Sequence, residues 1–341
     1  MSSAWSKHRR SVAKLALYST LTLAPVAAAS LFGRQGCATS QPSQAGNQAR
    51  RDKNEKQAAT PLVLVGAGDI AACSVLAGAD STAKLIEGIP GTVFAAGDLA
   101  YERGTQQEFR DCYGTTWGRF KDRTRPTPGN HEYNSGGAAP YFAYWGAQAG
   151  TPGKSYYSFD LGNWHVIALN TNCMAPGVGG CGFGSQQEKW LKQDLAEHAN
   201  SCIVAYGHHA LYSSGVFRSH AVHPELSDLW RDLYDAHADL MLAGHEHSYE
   251  RFAPQDPDGK ADEKMGIREI VVGTGGRSHD PLGTALPNSE VRNFDTYGVL
   301  KLTLSPDRYT WEFIPVNAEG FRDAGEGRCH NAIKLKGEEK K

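Results

Sequence analysis

Short apolar runs that stop at a glycine followed by a metal-capable side chain recur along this chain. Residues 62–65 lead into Gly66-Ala67-Gly68-Asp69, residues 92–96 into Gly97-Asp98, residues 202–206 into Gly207-His208-His209, and residues 239–243 into Gly244-His245-Glu246-His247. Runs of this length, bounded by turn residues, predict buried strands. A helix-like stretch over residues 81–87 separates the first two, which predicts a parallel βαβ unit. One Asp after a strand is an ordinary turn residue or helix cap. Two at equivalent strand ends, where open α/β sheets place their ligands, read as a site. After residues 239–243, alternation along an extended segment puts His245 and His247 on one side, close enough to ligate neighbouring metals.

The remaining pattern supplies the scaffold. Residues 156–160 and 164–170 predict a hairpin around Leu161-Gly162-Asn163, and residues 185–198 an amphipathic helix with Trp190, Leu191 and Leu195 on its buried face. A second helix over residues 224–237 buries Leu226, Leu229, Leu233 and Tyr234. Residues 269–273, 297–304 and 308–316 read as late strands, the last two a hairpin around Ser305-Pro306-Asp307. The loop Arg125-Pro126-Thr127-Pro128-Gly129-Asn130-His131-Glu132 projects Asn, His and Glu together. Gly273-Thr274-Gly275-Gly276 is not followed by a helix, so it reads as a tight turn near the site rim rather than a phosphate cradle. The fold class that follows is mixed α/β (α+β): two packed mixed sheets flanked by helices.

The chain has 341 residues and a formal net charge of −2 with no basic block, so a nucleic-acid partner is not expected. Residues 1–37 read as an export signal: Lys7 to Arg10 form a cationic start, and Val26-Ala27-Ala28-Ala29 a small-residue cleavage site. Lys14 and Pro25 within the apolar run argue against a permanent membrane span. Arg9-Arg10 opens a twin-arginine reading, and Gly36-Cys37 a lipoprotein reading, although Arg34 stands where such sites usually carry Leu. A membrane contact is expected only through a lipid on Cys37. Residues 38–60 read as a polar linker, 61–335 as one folded domain and 336–341 as a charged tail. Six further cysteines fit an oxidising compartment (periplasm, cell envelope or medium), with a local Cys173–Cys181 bridge expected around a Gly-rich loop.

Collected strand-end groups are Asp69, Asp98, Asn130, His208, His245 and His247, a mixed N/O set that suits two metal ions better than one. In order, Gly68-Asp69-Ile70-Ala71, Gly97-Asp98-Leu99-Ala100-Tyr101, Gly129-Asn130-His131-Glu132, Val204-Ala205-Tyr206-Gly207-His208 and Gly244-His245-Glu246-His247 resemble the motif blocks of calcineurin-like metallophosphoesterases. Among these the sequence is most similar to purple acid phosphatases. The broad family has a ligating His where Ala71 stands, and purple acid phosphatases use instead a Tyr at the spacing of Tyr101.

The resemblance implies Fe(III) held by Asp69, Asp98, Tyr101 and His247, and Zn(II), Mn(II) or Fe(II) held by Asp98, Asn130, His208 and His245. It implies hydrolysis of small phosphate esters by in-line attack of metal-bound hydroxide. His131 is then the phosphate contact and proton donor, oriented by Glu132, with His220 as a second candidate and Arg218 its rival; His209 competes with His208. The expected activity is an exported acid phosphatase-like phosphomonoesterase. A phosphodiesterase or nucleotidase on the same centre, and a catalytically silent envelope binding protein, are the alternatives. Plant-type relatives carry an extra N-terminal β domain, which the short linker here leaves no room for.

Overall fold

The computed structural model describes residues 62–216 and 224–332. The segments read above as an export signal, a linker and a charged tail, together with Arg218 and His220, lie outside the described residues.

Three strands expected or adjacent to expected motifs start the first sheet: β1 (Leu62–Ala67), then β3 (Thr92–Ala96) and β5 (Thr124–Thr127), parallel to one another. Between them lie two-residue β2 (Ala71–Ala72), helix α1 (Ala77–Glu87) and β4 (Ala100–Tyr101), with β2 and β4 paired. The late strands β13 (Gly298–Ser305), β14 (Arg308–Pro315) and β15 (Asp323–Arg328) extend this sheet antiparallel, giving the order β15-β14-β13-β1-β3-β5.

The second sheet has seven strands. The hairpin β6 (Tyr157–Leu161) and β7 (Trp164–Ala168) is followed by α2 (Gln186–Glu197), β8 (Cys202–Tyr206), α3 (Pro224–Asp235) and β9 (Leu240–Ala243). With β10 (Tyr249–Phe252), β11 (Arg268–Val272) and β12 (Ser289–Asn293) the order is β12-β10-β11-β9-β8-β7-β6, and β7, β8, β9 and β11 run parallel.

Period-two alternation divides the apolar side chains between two cores. Val166, Val204, Leu242 and Ile270 face the first sheet, in one core with Leu64 and Phe94. Their neighbours Ile167, Ile203, Ala205 and Met241 face the other way, against Leu191 and Leu195 of α2 and Leu226, Leu229 and Leu233 of α3. Strands buried on both faces read as continuous apolar runs, which is why these were legible. On the far side of the first sheet, α1 packs Ala79, Ala83 and Ile86. The expected architecture of two packed mixed sheets flanked by helices is the one found. Among the described residues no helix is long and apolar enough to cross a membrane.

Six cysteines form three bridges: Cys73–Cys112, the expected local Cys173–Cys181, and Cys202–Cys329, which ties the start of β8 to the residue after β15.

Candidate metal centre

The parallel strands of both sheets end at one edge, and five of those ends carry candidate ligands: Asp69 after β1, Asp98 after β3, Asn130 after β5, His208 after β8, and His245 and His247 after β9. Asp69, Asp98 and His245 adopt left-handed backbone conformations, with φ of 61°, 51° and 71°. Asp and His tolerate this region better than most residues, and such strain gathers at functional sites. The turns are fixed from both sheets. Gly68 N–H donates to Val272 O at 3.0 Å, and His245 N–H to Asp69 Oδ2 at 2.8 Å. A Cβ on Gly244 would lie 2.6 Å from Asp69 Oδ2, so only glycine permits this approach. His245 and His247 do reach one site, but not by strand alternation. The left-handed His245 makes residues 244–247 a turn.

Tyr101 Oη lies 2.7 Å from Asp69 Oδ1 and 3.1 Å from His247 Nε2, and that nitrogen is 3.3 Å from Asp69 Oδ1. On the other side, Asn130 Oδ1 lies 3.0 Å from His208 Nε2 and 3.1 Å from His245 Nδ1. Those two nitrogens are 3.3 Å apart, and Asp98 Oδ2 is 3.4 Å from His208 Nε2. Asp98 stands between the halves, since Asp69, Asp98 and His208 offer donor atoms within 4.8 Å of one another.

His208 Nδ1–H donates to the Ala96 carbonyl at 2.9 Å, so in the neutral ring Nε2 presents a lone pair to the oxygens of Asn130 and Asp98. Lone pairs facing lone pairs are repulsive unless a proton or a metal ion lies between them. With metal–donor bonds of about 2.1 Å, adjacent donors of a six-coordinate ion sit about 3 Å apart, which is the spacing of these groups. The residues present therefore fit metal ions.

The electrostatics agree. Burial would raise the carboxyls of Asp69 and Asp98, but His247 beside the first and His208 beside the second hold both below the usual range. Burial opposes charge on His208 as well; Asp98 outweighs it and lifts that imidazole to about 9. Burial and His208 push His245 down to about 4. Burial, with the charges of Asp69 and Asp98, drives the Tyr101 phenol well above its usual value. An added cation favours the neutral imidazoles and the phenolate.

His131 sits at the mouth. Its N–H donates to Asp98 Oδ1 at 2.9 Å, its Nδ1 bonds the Glu102 carbonyl at 2.7 Å, and its Nε2 lies 3.8 Å from Asp98 Oδ2. Glu132 does not orient it. Residues 130–133 form a helical turn, where adjacent side chains do not share a face. Glu132 is fully buried and accepts N–H bonds from Gly129 (2.7 Å), Asp98 (3.0 Å), Leu99 (3.0 Å) and Ala100 (3.2 Å). Burial pushes its carboxyl up to about 8, yet each oxygen receives two N–H donors, so the ionised form is the one its surroundings satisfy. His209 Nδ1 is 3.0 Å from Thr171 Oγ1, and that oxygen also accepts the N–H of His208 and of His209. His208 is thus the one aimed at Asn130, with the His209 ring beside it at 4.8 Å.

Sequence reading missed the groups that hold the candidate ligands. His247 Nδ1 meets Ser278 Oγ at 2.6 Å and Asp280 Oδ2 at 3.5 Å. Gly273-Thr274-Gly275-Gly276 is a packed turn as expected: Gly273 N–H goes to Ser248 O and Gly275 N–H to Gly68 O, leaving neither for a phosphate.

Residues 62–249 match the calcineurin-like phosphoesterase family model, over more than half of the chain. The chain belongs to the calcineurin-like phosphoesterase family. Its matched span runs from β1 through His247, so the candidate ligands all fall inside the family's domain and Ser278 and Asp280 fall beyond it. Purple acid phosphatase 15 of Arabidopsis thaliana is 25% identical over 312 residues, covering 76% of this chain and 54% of that protein. Probable inactive purple acid phosphatase 24 of the same plant is 26% identical over 250 residues, covering 62% of this chain and 39% of that protein. The chain thus spans about half the length of the curated relatives it matches. A purple acid phosphatase from yellow lupin (Lupinus luteus) seeds shares the fold, with a TM-score of 0.64 at 21% identity over 78% of this calcineurin-like chain and 53% of that one.

Proposed function

We propose that this chain is an exported, two-metal phosphomonoesterase acting on small organic phosphate esters. The observation that carries the reading is the convergence of seven oxygen- and nitrogen-bearing side chains, from the two large sheets and the β2–β4 pair, at the spacing of donors around metal ions. Asp69, Asp98, Tyr101 and His247 would hold Fe(III), for which carboxylate and phenolate are suitable hard donors. Asp98, Asn130, His208 and His245 would hold Zn(II), Mn(II) or Fe(II). When bound, the ions supply Lewis acidity that lowers the pKa of water and offsets charge on phosphate oxygens.

The chain's own groups handle position and protons. The Glu102 carbonyl takes the Nδ1–H of His131, which turns Nε2 toward the substrate side. As an imidazolium, His131 hydrogen-bonds a phosphate oxygen and passes its Nε2 proton to the leaving alkoxide. The neutral ring that remains keeps its tautomer because Nδ1–H stays on Glu102 O. Ala96 fixes the His208 ring, and Ser278 with Asp280 that of His247, as partners of metal-binding imidazoles do. Three disulfides support export. One curated relative is described as probably inactive; retention of every candidate ligand together with His131 favours an active enzyme here.

The test is metal analysis, hydrolysis of a nitrophenyl monoester, and visible spectra of the wild type and Tyr101→Phe. Two ions per chain and a violet band lost in the variant are expected. A colourless, metal-replete, active protein would remove the ferric–phenolate assignment. A protein with neither bound metal nor hydrolysis would overturn the reading as a whole.

A further inference from the structure

We infer that Arg277 makes this centre selective for phosphate monoesters, which carry two negative charges, over diesters, which carry one. The inference rests on the two-metal reading above and names its substrate class.

The segment carrying Arg277 is bolted to the centre on both sides. Arg277 N–H donates to Asp69 O at 3.0 Å and Asp280 N–H to His247 O at 3.1 Å, while Ser278 Oγ meets His247 Nδ1. From this anchorage the guanidinium reaches over the Tyr101 ring, with Cζ 5.1 Å from the centroid, and Nη2 donates to Glu102 Oε1 at 2.6 Å. Glu102 is the residue whose carbonyl holds His131, and the His131 ring lies 4.4 Å from that of Tyr101. Arg277, Glu102 and His131 therefore form one rim around Tyr101. Among the described residues, no other lysine or arginine is hydrogen-bonded, ion-paired or stacked on Tyr101, on His131 or on a candidate ligand.

The decisive detail is an unspent donor. Arg277 Nε–H is buried and has no hydrogen-bond partner. A buried cationic N–H without an acceptor is costly, and a guanidinium whose task was only to cover Tyr101 has no reason to retain one. A monoester has three terminal oxygens sharing two charges. A diester replaces one of them with an uncharged ester oxygen. A guanidinium anchored beside the centre, its side chain 24% accessible, presents its charge to that third oxygen, and its Nε–H gains an acceptor when the group turns toward the bound ester. Glu102 holds it ready through a bond that is exposed on the Glu102 side, where the side chain is 54% accessible.

The experiment compares metal-loaded wild type with Arg277→Gln, Arg277→Lys and Glu102→Gln. Calorimetry reads the binding of orthophosphate, at a pH where it is a dianion, against that of dimethyl phosphate. Parallel assays give kcat/KM on nitrophenyl phosphate and bis(nitrophenyl) phosphate, and metal content and the visible spectrum are recorded for each protein. Arg277→Gln should keep its metals yet lose about tenfold to a hundredfold in orthophosphate affinity and monoester kcat/KM, the range of one charge-assisted hydrogen bond. Dimethyl phosphate and the diester should lose about threefold or less, a residual Coulombic effect. Arg277→Lys should recover part of the preference. Glu102→Gln removes the charge that holds Arg277 and should weaken the preference by less than Arg277→Gln does, because an amide oxygen can still accept from Nη2 and the backbone carbonyl still holds His131. Equal losses on both substrate classes, or loss of metal in Arg277→Gln, would reduce Arg277 to a support for Tyr101 and overturn the inference. Unchanged selectivity in an active Arg277→Gln enzyme would overturn it alone. A wild type that binds and hydrolyses neither class would overturn the two-metal reading and this inference with it.

Discussion

Four backbone N–H groups meet on the Glu132 carboxylate, and three of them belong to Asp98, Leu99 and Ala100, the turn that presents the carboxylate shared by both halves of the centre. Glu132→Gln sets an –NH2 against two of those donors. Each buried donor left without a partner costs about 1–3 kcal/mol, so the variant should lose both thermal stability and bound metal. An unchanged Tm and metal content would refute the bracing role. Asp69, Asp98, Asn130, His208, His245 and His247 were legible because each follows a glycine or a strand end. Glu132 was assigned to His131 because it is next in sequence, and a helical turn separates such neighbours. Glu102, Thr171 and Ser278 gave no signal at all. They lie 29, 37 and 31 residues from His131, His208 and His247, and only folding brings them together.

At the level of elements, the edge hairpin is fastened by His165 on β7. Its Nδ1 meets Asp160 of β6 and its Nε2 meets Asp194 of α2, each at 2.8 Å; Ser158 donates to Asp194, and the His198 ring stacks on that of His165 at 3.7 Å. Both ring nitrogens serve carboxylates, which requires the imidazolium. Burial works against that charge, but Asp194 and Asp160 outweigh it and raise its pKa above the usual 6.5. A raised folded-state pKa gives stability that is fully present below about 6.5, the unfolded value, and is lost as pH climbs through the folded one. His165→Asn should therefore lower Tm by more at pH 5 than at pH 9, and an equal loss at both would remove the clamp. Apolar strands were legible; β5, β12 and β15 were not. Pro126 marks β5 as a non-strand, although an edge position tolerates it, and its carbonyl accepts the hydroxyls of Tyr141 and Tyr157. Gly325 weakens the pattern of β15 because the Trp311 ring on β14 occupies the place of its side chain.

Across the whole molecule the two sheets are joined at both ends by different means. Cys202 opens β8 and Cys329 follows β15, so their bridge links one sheet to the other at the end away from His208. It closes a separation of 127 residues, for which chain entropy gives about 5 kcal/mol. Removing both sulfurs, as Cys202→Ala with Cys329→Ala, should lower Tm by about 10 °C. Turnover at moderate temperature should persist, since six residues of strand place His208 about 20 Å away; loss of turnover with full metal content would place the bridge in the working of the centre. At the opposite edge Asp69, Asp98 and Asn130 come from the first sheet and His208, His245 and His247 from the second. With the ions proposed above, that edge carries a clasp whose strength follows the supply of metal, because whatever binds only the folded state stabilises it by mass action. A chain starved of its ions would lose that contribution, while the shared core, the hydrogen bonds of Gly68 and His245 and the sulfur bridge still hold the sheets together. Reloading would then meet ligands already in place rather than a separated edge.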